Sequence, residues 1–115
     1  MDDYALPQLL RGTVLTLVRQ DSPDLTARQL GILLTVYLKP EPHTVRGLAA
    51  GLNISKPAVT RALDRLGELD LVRRELDPMD RRSVLVQQTP GGQAYLAELR
   101  RVMAAAATDN LAAAA

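Results

Sequence analysis

A chain of 115 residues, 47% hydrophobic and 23% charged, suits one globular domain with a modest core. It has no cysteine and only one histidine, His43, which excludes disulfides, thiol redox sensing and a conventional zinc site; no metal or other cofactor is expected. The net charge of +1 excludes a broad basic surface, and an apolar stretch from Leu6 to Val18 broken by Arg11, behind an acidic start, excludes a bilayer span or signal peptide. A cytoplasmic, bacterial protein with no membrane partner is expected.

In chain order, Leu6, Leu10, Val14, Leu17 and Val18 recur at helical spacing, with Pro7 tolerable in the first turn, and predict a helix over about residues 4–20. Asp21-Ser22-Pro23-Asp24 ends it. Thr26 and Gln29 form a capping-box pattern opening a second helix with Leu30, Leu33, Leu34 and Tyr37 as its buried stripe. Lys39-Pro40-Glu41-Pro42-His43 is a stiff connector. Thr44 caps the next helix, and Ser55 the one after, with Pro57 in the first turn. Leu71–Leu76 and Ser83–Val86 read as strands around Asp77-Pro78-Met79-Asp80-Arg81-Arg82. Thr89 and Pro90 then restart helix, where Leu96, Leu99, Met103 and Ala106 suggest a packed seam. The expected class is mainly α with a small β hairpin (α+β).

The middle of the chain carries the chemistry. Leu48, Ala49, Leu52 and Ile54 with Asn53 at the turn, followed by Val59, Leu63 and Leu66 on one face of the next helix, make a helix-turn-helix. The opposite face offers Lys56, Thr60, Arg61 and Asp64, the short polar and cationic groups a major groove accepts. Lys56, Arg61, Arg65, Arg73, Arg74, Arg81 and Arg82 are half of the 14 Lys and Arg residues. Asp64, Glu68, Asp70, Glu75, Asp77 and Asp80 share that segment, so salt-sensitive binding focused on a few phosphates is expected. Double-stranded DNA is the expected partner. The candidate contacts are Ser55, Lys56, Pro57, Thr60, Arg61 and Arg65 on the helix and Arg74, Asp80, Arg81 and Arg82 on the hairpin. Ser55 can cap its helix and hold a phosphate. Asp64 is either structural or an acceptor for a cytosine amino group.

Asp77-Pro78-Met79-Asp80-Arg81-Arg82 followed by Thr89-Pro90-Gly91-Gly92 resembles the wing of MarR-type winged-helix transcriptional regulators. Ile54-Ser55-Lys56-Pro57-Ala58-Val59-Thr60-Arg61-Ala62-Leu63-Asp64-Arg65-Leu66 is similar to that family's recognition helix, and weaker similarity reaches back to Leu25–Leu30. The resemblance implies a winged helix-turn-helix with N- and C-terminal dimerisation helices. That gives a single domain over 1–115, with a DNA-binding core at about 26–89 and dimerisation helices at about 4–20 and 90–111. It further implies a homodimer, a repressor on a pseudo-palindromic operator, and room for a small-molecule effector. In wings of this type the Asp and Arg at the positions of Asp80 and Arg81 pair, and the arginine enters the minor groove. Arg82, or Arg73 and Arg74 at the wing base, fits phosphate contact or pairing with Glu75. The chain is short at its C-terminus, as if the usual final helix were absent or merged into the one after Pro90.

The terminal helices are more apolar than one core-facing stripe requires, since Leu9, Leu15, Val102 and several alanines lie off it. Pairing across a two-fold axis answers that, with Leu6, Leu10, Leu17, Leu96, Leu99 and Met103 as the seam. Asp70 stands where relatives have glycine, and Gln88, where leucine is common, is expected to loosen the hairpin slightly. Tyr4, Tyr37, Tyr95 and His43 pack in the core or line an effector pocket. Two rival functions remain. A winged helix used for protein–protein contact, without specific DNA binding, suits the near-neutral charge. An enzyme is not expected, because no nucleophile–base pair, metal cluster or phosphate-binding glycine loop appears.

Overall fold

The computed structural model describes residues 3–114, with side chains as far as residue 109. Met1-Asp2 of the acidic start and the side chains of the terminal alanine run lie outside the described residues. Five helices and one antiparallel hairpin follow in the order α1 (Ala5–Arg19), α2 (Ala27–Leu38), α3 (Val45–Leu52), α4 (Lys56–Glu68), β1 (Val72–Asp77), β2 (Asp80–Gln88) and α5 (Pro90–Ala114). The chain divides into two compact units, Leu25–Ala94 and the pair of segments before and after it.

In the Leu25–Ala94 unit, local capping chemistry sets the helix starts. Thr26 accepts from the Gln29 amide while the Gln29 side chain accepts from Thr26 N, completing the capping box. Thr44 accepts from Gly47 N at 2.9 Å and Ser55 from Ala58 N at 3.2 Å, each cap stabilising its helix by about 0.5–2 kcal/mol. Asn53 closes α3 in the left-handed conformation, at φ 54° and ψ 47°, and so turns the chain into α4. Asp70 does the same after α4, at φ 57°. The core is aliphatic: Ala58, Val59, Ala62, Leu63 and Leu66 of α4 are buried, as are Leu48, Leu71, Val72 and Val86. In α2 the buried stripe is Ile32, Leu33 and Val36, while Leu30, Leu34 and Tyr37 are half-buried. Of the expected stripe only Leu33 is fully buried, because α2 carries apolar residues around more than one face and Ile32 and Val36 compete for the interior. Each such burial of Leu, Ile or Val contributes about 1.5–3 kcal/mol.

The hairpin is longer than its composition suggests. β2 begins at Asp80, so only Pro78-Met79 lies between the strands, and the Asp77 carboxylate accepts from Met79 N at 2.8 Å to fix the turn. Leu76 pairs with Val84, but the next pair is Asp77 with Asp80. Arg81, Arg82 and Ser83 therefore sit on a bulge, a device that bends a strand and re-aims its side chains. At the base, Val86 N donates to His43 O at 2.8 Å and Thr44 bridges to Leu85, which ties the start of α3 to the sheet.

One hydroxyl latches the hairpin to α2. Tyr37 donates to Leu71 O at 2.7 Å and accepts from Thr89 N at 3.0 Å. Thr89 caps α5 by accepting from Gly92 N at 2.9 Å and donates to Asp70 O at 2.6 Å. The two glycines make this approach feasible: a Cβ on Gly92 would lie 1.6 Å from the Tyr37 hydroxyl, and one on Gly91 2.5 Å from Asp70 O. Gln88 bonds to both α2 and the start of α5. Its amide donates to Val36 O at 3.2 Å, occupying a carbonyl near the end of α2, and its carbonyl accepts from Gln93.

The other unit contains α1 and α5 from Tyr95 onward. Here the seam candidates Leu6 and Leu10 lie on the outer side of α1, together with Val14 and Val18. Leu6, Leu10, Val14 and Val18 are 68%, 64%, 47% and 68% exposed, and the buried residue of α1 is Thr13, whose hydroxyl donates to Leu9 O. Small residues permit the inner packing: a Cβ on Gly12 would lie 3.2 Å from Ala106 Cβ. On α5, Val102 and Leu99 are buried, at 2% and 7% exposure, and Met103 is exposed. Leu99 thus belongs to the interior and not to an outward seam, and Val102, read as off-stripe, is core.

Candidate nucleic-acid interface

Helix α4 separates its residues by face. With Ala58, Val59, Ala62, Leu63 and Leu66 inward, the outward positions are Ser55 at the cap, Lys56, Pro57, Thr60, Arg61, Asp64 and Arg65, all exposed. The face is cationic and hydroxyl-bearing, and the diameter of an α-helix with its side chains, about 10–12 Å, is what a major groove admits. Beside it the hairpin carries Arg73, Arg74, Arg81 and Arg82, also exposed.

The acidic residues of this segment are not spread at random among the cations. Asp64 Oδ1 accepts from Arg74 Nη2 at 2.7 Å, joining the outer face of α4 to the base of the wing. Asp80 accepts from Arg82 N at 3.0 Å and lies 3.4 Å from Arg82 Nε. Arg65 faces Glu68 at 3.6 Å. Arg73 donates twice to the Gln87 carbonyl, at 2.8 and 3.3 Å. Lys56, Arg61 and Arg81 have no ion pair among the described residues. The near-neutral total charge therefore conceals a set of unneutralised cations, two on the outer face of α4 and one on the wing.

Two expected pairings change, and Asp64 takes its structural role through a partner the sequence does not indicate. Asp80 braces Arg82, its neighbour two positions on, and not Arg81, because the bulge turns Arg82 back over the Asp80 carboxylate. Neither Arg73 nor Arg74 pairs with Glu75; alternation along β1 sends Glu75 to the opposite face of the ribbon from Arg74. Asp64, expected near Lys56, Thr60 and Arg61, reaches across to Arg74, a contact ten residues away in sequence with no local signature.

Two of the aromatic and histidine candidates, Tyr37 and His43, take structural positions. The Tyr37 hydroxyl is committed to Leu71 and Thr89, and His43 Nε2 donates to Lys39 O at 2.9 Å. Tyr4 is exposed; Tyr95 is half-buried, and burial pushes its hydroxyl above the ordinary tyrosine range, keeping it neutral. Two exposed cations escaped the sequence reading, Arg28 in the first turn of α2 and Arg46 in the first turn of α3. Arg28 shares a cleft with Thr26 and Arg61. Each is a lone arginine in a short apolar stretch, and only the fold brings it beside α4. Among the described residues there is no cluster of three or more metal-ligating side chains, and no helix is long and apolar enough to cross a membrane.

Solved structures share this architecture. A mutant MarR from E. coli complexed with operator DNA is 28% identical with a TM-score of 0.70, covering 93% of this chain and 74% of that one. The transcriptional repressor CouR, bound to a 23-mer DNA duplex, is 27% identical with a TM-score of 0.72, over 93% of this chain and 72% of that one. YusO from Bacillus subtilis, at 22% identity, shares the fold with a TM-score of 0.76, over 93% and 73% of the two chains. Comparison with curated proteins finds no match. A sequence model described as MarR family matches residues 24–83, which spans the helix-turn-helix and most of the hairpin. With its winged-helix fold and that match over half its length, the chain belongs to the MarR family of transcriptional regulators.

Proposed function

We propose that this protein is a sequence-specific, double-stranded DNA-binding repressor that acts as a homodimer on a pseudo-palindromic operator. The observation that carries the reading is the division of α4: an apolar inner face locked into the core, and an outer face of Ser55, Lys56, Pro57, Thr60, Arg61 and Arg65 beside a wing tipped with arginines. Helix α4 enters the major groove, where Arg61 reads a guanine edge and Lys56, Thr60 and Arg65 meet bases or phosphates. Arg81, on the wing bulge and without an ion pair among the described residues, enters the flanking minor groove, while Arg82 stays braced by Asp80 near the backbone. Residues 26–89 serve as the DNA-binding core and the helices at 4–20 and 90–111 as the dimer elements.

Dimerisation is supported by the outer face of α1, where Leu6, Leu10, Val14 and Val18 form an exposed apolar stripe at helical spacing. Such a stripe in water favours association, and a second copy covers it symmetrically. Leu17, Leu96 and Met103 are the further candidates for that contact. Half-sites one helical turn apart then present two α4 helices to one side of the duplex. A small-molecule effector that changes the spacing of those helices would release the operator.

Selection of bound sequences from random duplex DNA tests the reading, followed by isotherms at several salt concentrations. The expected result is an enriched inverted repeat and affinity that falls steeply with salt. A protein that enriches nothing and binds DNA without salt dependence would make this a winged helix for protein contact instead.

A further inference from the structure

We infer that the cleft between the recognition helix and the wing seats one backbone phosphate of the DNA, held by Arg46, Lys56 and Arg82, so that α3 contributes a contact of its own. The inference rests on the double-stranded DNA reading above. The cleft is lined by Val45, Arg46, Lys56, Thr60, Arg82, Ser83 and Val84. It therefore joins three elements: the first turn of α3, the opening of α4 and the bulged part of β2.

Its chemistry is one-sided. The lining holds three cations and two hydroxyl side chains and includes no carboxylate, in a segment where most arginines are paired with acids or amides. Arg82 meets Asp80 through Nε, yet its side chain is 87% exposed. A guanidinium has five N–H groups in a planar fork, so the terminal nitrogens of Arg82 are available to a second acceptor. Arg46 and Lys56 are exposed and have no ion pair among the described residues. Thr60 and Ser83 add hydroxyl donors.

Groove geometry says which anion belongs there. A helix in the major groove and a wing in the adjacent minor groove lie on either side of one sugar–phosphate strand. That strand must pass between α4 and β2, through the cleft these cations line. Contacts to phosphate fix register and carry no base preference. Arg46 should therefore raise affinity for every sequence alike, in contrast to Arg61.

The test uses Arg46→Gln and Arg46→Lys, substitutions at an exposed position that leave the Thr44 cap and the α3 core untouched. Isotherms are measured on the selected operator and on an unrelated duplex across a salt series, with thermal melts confirming unchanged folding. For Arg46→Gln the expected result is an equal fractional loss on both duplexes and a salt slope reduced by about 0.9. Raising salt fourfold should then cost this variant about 3.5-fold less affinity than it costs the wild type. Arg46→Lys, which keeps the charge, should retain the wild-type slope. A loss confined to the operator would overturn the phosphate assignment in favour of base reading. An unchanged slope for Arg46→Gln, with the wild type still binding in a salt-dependent way, would overturn the inference and leave the DNA reading standing. Failure of the wild type to bind DNA would instead overturn the reading on which it rests.

Discussion

Helices α1 and α4 are of similar length, 15 and 13 residues, and each turns one face inward, but the faces they leave outside are opposite in kind. The outer face of α4 carries Lys56, Thr60, Arg61, Asp64 and Arg65; that of α1 carries Leu6, Leu10, Val14 and Val18. Their inner faces differ as well. Helix α4 buries Val59, Leu63 and Leu66, whereas α1 buries Thr13 and brings Gly12 close to Ala106. Helix α4 thus turns its large apolar side chains inward, whereas α1 half-buries Leu9, Leu15 and Leu17 and leaves four others outside. A polar exterior over an apolar interior suits a helix that must hold its own fold while meeting a charged partner. An apolar exterior over a small-residue interior suits a helix whose main hydrophobic contact is made with another chain.

The sharpest way to break this contrast is to make the exterior of α1 polar. Leu10→Asp should halve the mass seen by light scattering, from a dimer to one chain of 12.5 kDa. Operator affinity should fall by about 10²-fold or more, because two linked half-site contacts become one. Arg61→Asp on α4 should abolish operator binding and leave the mass doubled. A Leu10→Asp protein that remains a dimer would show that the α1 stripe serves something other than self-association.

A milder substitution sharpens the other side of the comparison. Arg61→Ala should cost about 1–3 kcal/mol on the operator, the worth of one arginine–guanine contact. On an unrelated duplex the loss should be smaller. Equal losses on both would make Arg61 a phosphate contact, and base reading would then fall to Thr60 and Arg65.

How much of this is legible in the sequence depends on the range of the interaction. The caps at Thr26, Thr44 and Ser55 and the left-handed turns at Asn53 and Asp70 are spelled by residues a few positions apart, and the structure has each as the sequence suggests. The apolar period of α1 is equally plain, but periodicity cannot say whether a stripe meets its own chain or another. The strongest stripe turned out to be the outer one, and the inner face of small residues looked like filler. Asp, Pro and Arg are turn-like in composition, so the wing sequence suggests a six-residue turn. In the fold, Asp80 and the arginines extend the strand on a bulge. Contacts across the chain were invisible. Nothing local joins Tyr37 to Thr89, 52 residues on, or explains why Gly91-Gly92 must lack side chains until the Tyr37 hydroxyl is placed against them.

On the wing the expected effects are smaller, and the two tip arginines should separate. Arg81→Ala should reduce the salt slope by about one unit and relax any preference for A·T pairs flanking the half-sites, as loss of a minor-groove arginine does. Arg82→Ala should reduce the slope by a similar amount with no change in base preference. Asp80→Ala should affect Arg82 alone, since its carboxylate holds that residue. Isotherms on operators with A·T or G·C flanks, each at several salt concentrations, decide between these outcomes. If Arg81→Ala binds as tightly as wild type with an unchanged slope, the wing exterior is not a DNA surface and only α4 carries the contrast with α1.

The smallest effect is expected where α4 meets the wing base. Arg74 is a DNA-contact candidate by sequence, yet its guanidinium donates to Asp64 at 2.7 Å, with the two side chains 35% and 55% exposed. Exposed ion pairs contribute about 0.2–1 kcal/mol, so a double-mutant cycle on folding stability with Arg74→Ala and Asp64→Ala should give a coupling of that size. The effect on DNA binding is more telling, because the two roles of Arg74 predict opposite signs for one variant. If the pair holds the hairpin at a fixed angle to the recognition helix, Asp64→Ala should weaken operator binding, and the double variant should be no weaker than either single one. If Arg74 instead meets a phosphate, Asp64→Ala should strengthen binding, since it releases the arginine and removes a negative charge from the interface. Arg74→Ala should then lower the salt slope by about one unit. The geometry favours the first result, because the Asp64 carboxylate on the outer face of α4 is already paired with Arg74 of the wing.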